Sequence, residues 1–384
     1  MKTQYTRRQF IQIAGAAAAA SWLSPPRLFL GGEAPTAPVA LAKCPAYGPE
    51  VLTTLQTMFD QLGGLERLVK GKTVAVKLNL TGSPTDRLGG KPVELSSWVH
   101  PQVIGATVHL LGRAGAQRIR LLESAGGTAQ PLEEFMLRAR WQPRDFLGAA
   151  PHVEFENTNF LGQGKKYSRL EVPGGGLLFR AYDVNHSYVD CDVYVSFAKL
   201  KDHATAGVTL SMKNSFGIPP CTIYGEGAGV DEPSEKPGGA RGMLHEGKRQ
   251  PSKSAPSEND PASPRDPGYR VPRVTVDLVA ARPLHLAILD GIESMAGGEG
   301  YWVKGTRPVR PGVLIAGMNC VATDAVATAI MGFDPMADRG KAPFETCDST
   351  LKLAEELGIG TRDLRRIEVR GTPLAKALFN FRAA

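Results

Sequence analysis

Short runs rich in Val, Ile and Leu alternate with helical patterns along most of the chain, which predicts an α/β protein. The expected architecture is a largely parallel, Rossmann-like layered sheet with helices on both faces and one long irregular insertion. Two further observations support it. The 384 residues are 42% hydrophobic and 22% charged, enough apolar material for a packed core. That excludes a disordered chain, a collagenous fibre and a disulfide-stapled miniprotein. At about 150 residues per domain the length suits two domains or one large one, and no internal repeat divides it.

The elements follow in order. Residues 73–78 read as the first strand, and 101–113 as a helix with Pro101 in its first turn and Gly112 and Gly115 near its end. Strands are expected at 118–122, 153–156, 177–182 and 192–197, with a helix at 132–140. From 225 to 272 the chain is dense in Gly, Pro, Ser and charge and lacks hydrophobic period, so it reads as a surface loop, mobile without ligand. Order resumes with a helix at 274–281 and strands at 284–289 and 313–316. Asn319 caps a helix reaching Met331, with Gly332 beyond it. A helix at 346–357 and a strand at 366–369 close the fold, which runs from 73 to 371 after an N-terminal segment, 43–72, and before a tail, 372–384.

The first 42 residues are different in kind. Thr6-Arg7-Arg8-Gln9-Phe10-Ile11-Gln12 precedes an alanine-rich apolar run, and Ala40-Leu41-Ala42 offers the small residues that a signal peptidase reads. This resembles a twin-arginine export signal cleaved after Ala42. The expected partner is the twin-arginine machinery and the expected compartment the periplasm. The apolar run is too short and weakly hydrophobic for a permanent membrane anchor.

Net charge is +7, of which Lys2, Arg7, Arg8 and Arg27 against Glu33 put +3 in the leader, leaving +4 for the rest. No basic stripe with interleaved aromatics accompanies it, so nucleic acid is not an expected partner. The five cysteines are widely spaced with no CxxC pair, so no self-contained iron–sulfur cluster is expected.

Candidate functional residues cluster after the strands. Lys77 and Asn79 follow the first, Glu123 and Ser124 the second, Lys199, Lys201 and His203 a later one, Asp290 and Glu293 another. In open α/β sheets ligands bind outside the carboxyl ends of the strands, so these groups are expected to share a pocket. Lys213 and Asn214 sit after an apolar segment and just before the turn Gly217-Ile218-Pro219-Pro220, and Gly291, Gly298 and Gly300 belong to a loop whose backbone N–H groups could approach a ligand. The cations Lys77, Lys199, Lys201 and Lys213, with His203, suit a small anionic ligand. Asp290, Glu293, Glu299 and Asp324 supply hard oxygen donors for a divalent metal such as Mg²⁺ or Ca²⁺, a pattern that plain ion pairs also satisfy. Lys213 and His203 are the candidate catalytic pair.

The runs Val74-Ala75-Val76-Lys77-Leu78-Asn79-Leu80, Lys199-Leu200-Lys201-Asp202-His203, Ser211-Met212-Lys213-Asn214-Ser215-Phe216-Gly217, Ile288-Leu289-Asp290-Gly291-Ile292 and Ala322-Thr323-Asp324-Ala325 resemble the bacterial and archaeal family known as domain of unknown function 362. The family pattern has threonine where this chain has Asp202, and an Ala-Gly-x-Asp segment where it has Met318-Asn319. The resemblance implies the α/β fold and no settled activity. Some relatives carry ferredoxin-like modules, which implies an iron–sulfur protein as a partner. The order His203, Lys213, His245 also resembles that of nickel-pincer lactate racemases, which makes His245 a further binding candidate. Three functions stay open: an exported enzyme on a small anion, a binding protein, and an accessory partner of a redox complex.

Overall fold

The computed structural model describes residues 33–125 and 128–383, so the arginine pair and alanine run of the leader lie outside the described residues. Eight strands form one sheet: β1 (Val39–Lys43), β2 (Thr73–Lys77), β3 (Arg118–Glu123), β4 (Val153–Asn157), β5 (Val193–Lys199), β6 (Leu286–Gly291), β7 (Val313–Gly317) and β8 (Val369–Gly371). Their spatial order is β8-β1-β7-β6-β5-β2-β3-β4. From β6 to β4 every pairing is parallel, while β7 runs antiparallel to both β6 and β1. The carboxyl ends of five neighbouring strands therefore open on one edge.

Period-two alternation sends successive side chains of each strand to opposite faces. Val74, Val76, Val193, Val195 and Phe197 pack with α1 (Glu50–Gln61), α2 (Pro101–Arg113) and α3 (Leu132–Arg138). Ala75 and Tyr194 meet the opposite layer, built from α4 (Leu210–Asn214), α5 (Pro267–Ala281), α6 (Cys320–Ile330) and α7 (Thr350–Glu356). Helices thus cover both faces. Each fully buried Val or Leu contributes about 1.5–3 kcal/mol relative to exposure, so the sheet ends stand on a rigid base.

Two expectations are corrected. Ala40-Leu41-Ala42, the apparent peptidase site, lies inside β1, where residues 39 and 41 are fully buried and the strand pairs with both β7 and β8. A cut after Ala42 would strip a strand from the sheet, so the folded domain begins before the boundary expected from the small residues. The 225–272 segment, in turn, is tied down by polar contacts in place of a hydrophobic period. Buried Glu258 binds the guanidinium groups of Arg265 and Arg270 at 2.7 and 2.6 Å, and Met243 and Leu244 are buried. Its last residues already belong to α5, which starts at Pro267 and carries Pro272 within it.

Candidate functional site

The expected crevice is present as a cavity of about 750 Å³ at the carboxyl ends of β2, β3 and β5. It gathers Lys77, Asn79, Lys201 and His203 from the strand ends, Lys213 and Asn214 from α4, and His245 and Glu299 from the two loops. Part of the 225–272 segment therefore forms a wall of the site.

Its floor is a paired charge. Lys77 Nζ donates to Glu123 Oε1 and to the Leu78 carbonyl, both at 2.6 Å, while Glu123 also accepts the amides of Leu80 and Ser124. Burial lowers the Lys77 ammonium, and Glu123 opposes that shift. The Asn214 amide donates to Ser196 Oγ and to the Lys77 and Phe197 carbonyls, locking α4 onto the ends of β2 and β5.

Lys201 and Lys213 differ from Lys77 because neither has a carboxylate within ion-pair distance. Lys201 Nζ donates to the Ser97 and Glu299 carbonyls at 3.0 Å each. Lys213 Nζ has no hydrogen bond or ion pair among the described residues and lies 4.0 Å from the centre of the Phe216 ring. Burial pushes both ammonium groups down to about 7, for Lys213 with the added repulsion of Arg241, Lys201 and Lys77. Five cationic side chains (Lys77, Arg138, Lys201, Lys213 and Arg241) line the cavity against two carboxylates, Glu123 and Glu299. The interior favours an anion.

Two imidazoles flank this charge in opposite tautomers, each set by its backbone partner. His203 Nδ1 accepts the Thr205 amide at 3.1 Å, which leaves the proton on Nε2. His245 Nδ1 donates to the Arg241 carbonyl at 3.1 Å, which leaves Nε2 with a free lone pair. Burial, reinforced by the Lys213 charge, pushes His203 well below the usual histidine range and His245 to about 4, so both are neutral at physiological pH. Phe216 packs against the His245 ring with centroids 4.6 Å apart, so the lysine and this imidazole both contact one aromatic ring. Burial opposes ionisation of Glu299, while hydrogen bonds from Ala204 N and Trp302 Nε1 stabilise its carboxylate.

The expected metal set does not assemble. Asp290 takes Lys199 Nζ at 2.9 Å, Tyr47 Oη and the His100 amide, Glu293 pairs with Lys91, and Asp324 accepts Ser211 N, Ser211 Oγ and Met212 N. Each carboxylate is satisfied by protein, and none of the three lines the cavity that Glu299 lines. Among the described residues no group of three or more His, Cys, Asp or Glu side chains is placed to hold a metal ion. Lys199, fully buried with Asp290, lies outside the cavity lining for the same reason.

The glycine loop is corrected too. The Gly297 and Gly298 amides donate to Asp202 at 3.0 and 2.8 Å, so this loop cradles the chain's own carboxylate. Gly291 is glycine because a Cβ would lie 2.6 Å from Leu200, and Gly300 because one would lie 2.3 Å from the Trp302 ring. Arg241, Phe216 and Trp302 line the cavity without having been singled out. Arg241 sits in the low-complexity segment, where no period marks it, and only the mixed aromatic and basic character of the lining residues could have drawn attention to it.

Over 300 residues the chain is 25% identical to the thylakoid-associated protein sll1697 of Synechocystis sp. (strain ATCC 27184 / PCC 6803 / Kazusa), covering 77% of this chain and 75% of that protein. A crystal structure of a protein from Thermotoga maritima aligns at TM-score 0.38 and 14% identity, over 83% of this chain and 61% of that one. The lactate racemase apoprotein of Thermoanaerobacterium thermosaccharolyticum aligns at TM-score 0.34 and 11% identity, over 75% and 55%. The chain thus spans less than two thirds of either solved protein. The family model for domain of unknown function DUF362 matches residues 74–329, from β2 through most of α6, and the chain belongs to that family.

Proposed function

We propose that the cavity binds a small organic anion and that the protein is an enzyme that moves a proton on it. The observation that carries this reading is the pair of neutral imidazoles presenting opposite protonation states to one cationic cavity: His203 offers Nε2–H, and His245 offers an Nε2 lone pair. Lys201, Lys213 and Arg241 supply uncompensated positive charge where a carboxylate or phosphate oxygen would sit. The enclosing 225–272 segment limits water, which strengthens those interactions.

The test has two parts. Titration calorimetry with oxalate and inorganic phosphate should detect binding that weakens when Lys201 is replaced by Gln. Incubation of glycolate in D₂O should then show carbon-bound hydrogen exchange by proton NMR, lost in the His203→Ala, His245→Ala double variant. Binding without exchange would leave a binding protein, and absence of binding would sink the reading. We further propose export by the twin-arginine route, supported by Arg7 and Arg8 before the apolar run and consistent with a relative whose name places it at thylakoids.

A further inference from the structure

Four lysines stand at the carboxyl ends of the strands or on α4, and three of them are committed. Lys77 is held by Glu123 and the Leu78 carbonyl. Lys199 is held by Asp290, Tyr47 Oη and the Glu94 carbonyl, and Lys201 by the Ser97 and Glu299 carbonyls. Lys213 alone keeps its Nζ clear of any hydrogen-bond partner among the described residues. An aromatic face holds it in place without occupying its protons or its lone pair.

Its neighbours complete a recognisable chemical setting. A lysine becomes nucleophilic when desolvated beside other cations, and Lys77, Lys201 and Arg241 all bear on Lys213. Glu299 opposes that effect, but its carboxylate is engaged by the Ala204 amide and the Trp302 indole. Both imidazoles line the same cavity as Lys213, so the three groups share one space. Forming an imine needs one group that relays protons from nitrogen to oxygen and one that steadies that oxygen with a hydrogen bond. His245 Nε2 and His203 Nε2–H are those two groups in the resting tautomers.

Resting on the anion-binding reading above, we propose that the ligand is a carbonyl-bearing anion, an oxo acid or an aldehyde acid, and that Lys213 condenses with it to an imine. The unprotonated Nζ attacks the carbonyl carbon. A C–N bond forms, the carbonyl π pair moves to oxygen, and His245 Nε2 takes a proton from nitrogen and delivers it to that oxygen, which accepts a hydrogen bond from His203 Nε2–H; this gives the carbinolamine. The nitrogen lone pair then closes the C=N bond as the C–O bond breaks, and His245 carries the second nitrogen proton to the departing hydroxyl, which leaves as water, so both imidazoles end neutral. One carbonyl and one amine give one imine and one water, with no oxidant or reductant. The anionic end of the ligand meets the charge of Lys201 and Arg241, which keeps the carbonyl over Lys213.

The experiment uses the folded full chain with pyruvate and, separately, glyoxylate, reduced in place with cyanoborohydride. Intact mass should show a single reduced adduct per chain, mapped by peptide sequencing to Lys213, and it should vanish in Lys213→Arg and Lys213→Met. Oxalate, which matches the charge but does not condense under these conditions, should compete and cut the adduct yield at least severalfold. If oxalate binds by calorimetry while neither oxo acid is trapped, the imine is overturned and the anion site stands. If oxalate fails to bind as well, both readings fall. Adducts spread over surface lysines and unchanged in Lys213→Met would overturn the imine equally.

Discussion

Asp324 on α6 accepts hydrogen bonds from the amide and the hydroxyl of Ser211 at 2.9 and 2.6 Å, so a buried carboxylate on one helix fixes the first turn of the helix that carries Lys213. Met212 N adds a third donor, and the backbone just ahead is strained, with Leu210 at φ +40°. Burial raises the Asp324 carboxyl to about 7 against the pull of these donors. Asp324→Asn replaces one accepting oxygen by a donor that faces N–H groups. It should cost about 1–3 kcal/mol of stability in a denaturant titration and weaken oxalate binding more than Asp290→Asn does. Equal effects from the two variants would deny Asp324 its part in placing Lys213.

Lys213 can be removed without leaving a partner unpaired. Because folding lowers its ammonium from 10.5 to about 7, the group adds stability as pH rises from about 7 towards 10.5, and that contribution is lost as pH falls through 7. Lys213→Met should therefore match or exceed the wild-type Tm at pH 6 and show a flatter rise between pH 7 and 10. A Tm drop of several degrees at pH 6 would show that the lysine supports the fold.

Anion affinity should follow the opposite course. Lys201 and Lys213 carry their charge below about 7, and an anion binds the charged forms, so affinity for oxalate should fall as pH rises from 6 to 9. The histidines stay neutral over that range and should not contribute. Calorimetry at four pH values settles this, and affinity independent of pH would count against both lysines as ligand contacts.

Arg241 clasps the insertion to the strand-end loops. Its guanidinium donates to the Pro219 carbonyl at 2.6 Å, to the Gly217 carbonyl at 3.0 Å and to Ser124, from a backbone at φ +49°. Arg241→Ala should speed limited proteolysis within 225–266 about tenfold, the change expected for about 1.4 kcal/mol of lost local stability, with little change in global unfolding. Cleavage elsewhere first would place the weak point outside this wall.

Replacing Arg7 and Arg8 by lysine should strand the precursor in the cytoplasm, as fractionation and immunoblotting would show. N-terminal sequencing of exported protein should find a start before Val39, since β1 must survive processing. A mature chain that starts at Lys43 and is fully folded would overturn that placement.

The parallel sheet and most of the cavity were legible in the sequence because both follow from one rule. Apolar runs mark strands, and the polar residue just beyond each run stands at its carboxyl end, which is how Lys77, Asn79, Lys201 and His203 were found. Grouping carboxylates as metal donors misplaced Asp290, Glu293 and Asp324, because a sequence displays a charge but not the group that neutralises it. Lys199, Lys91 and the Ser211 amide are distant in the chain and adjacent in space. Ala40-Leu41-Ala42 misled for a different reason: small apolar residues suit a peptidase and the inside of a sheet equally well.

The place of β1 between β7 and β8 also sets a timetable. Its register partners, Val313–Gly317 and Val369–Gly371, are synthesised long after it, so the first strand must wait for them before its hydrogen bonds can form. Until then the edge of β6 that will receive β7 stays unpaired and open to pairing with other chains. A nascent chain stalled before residue 313 would expose that edge.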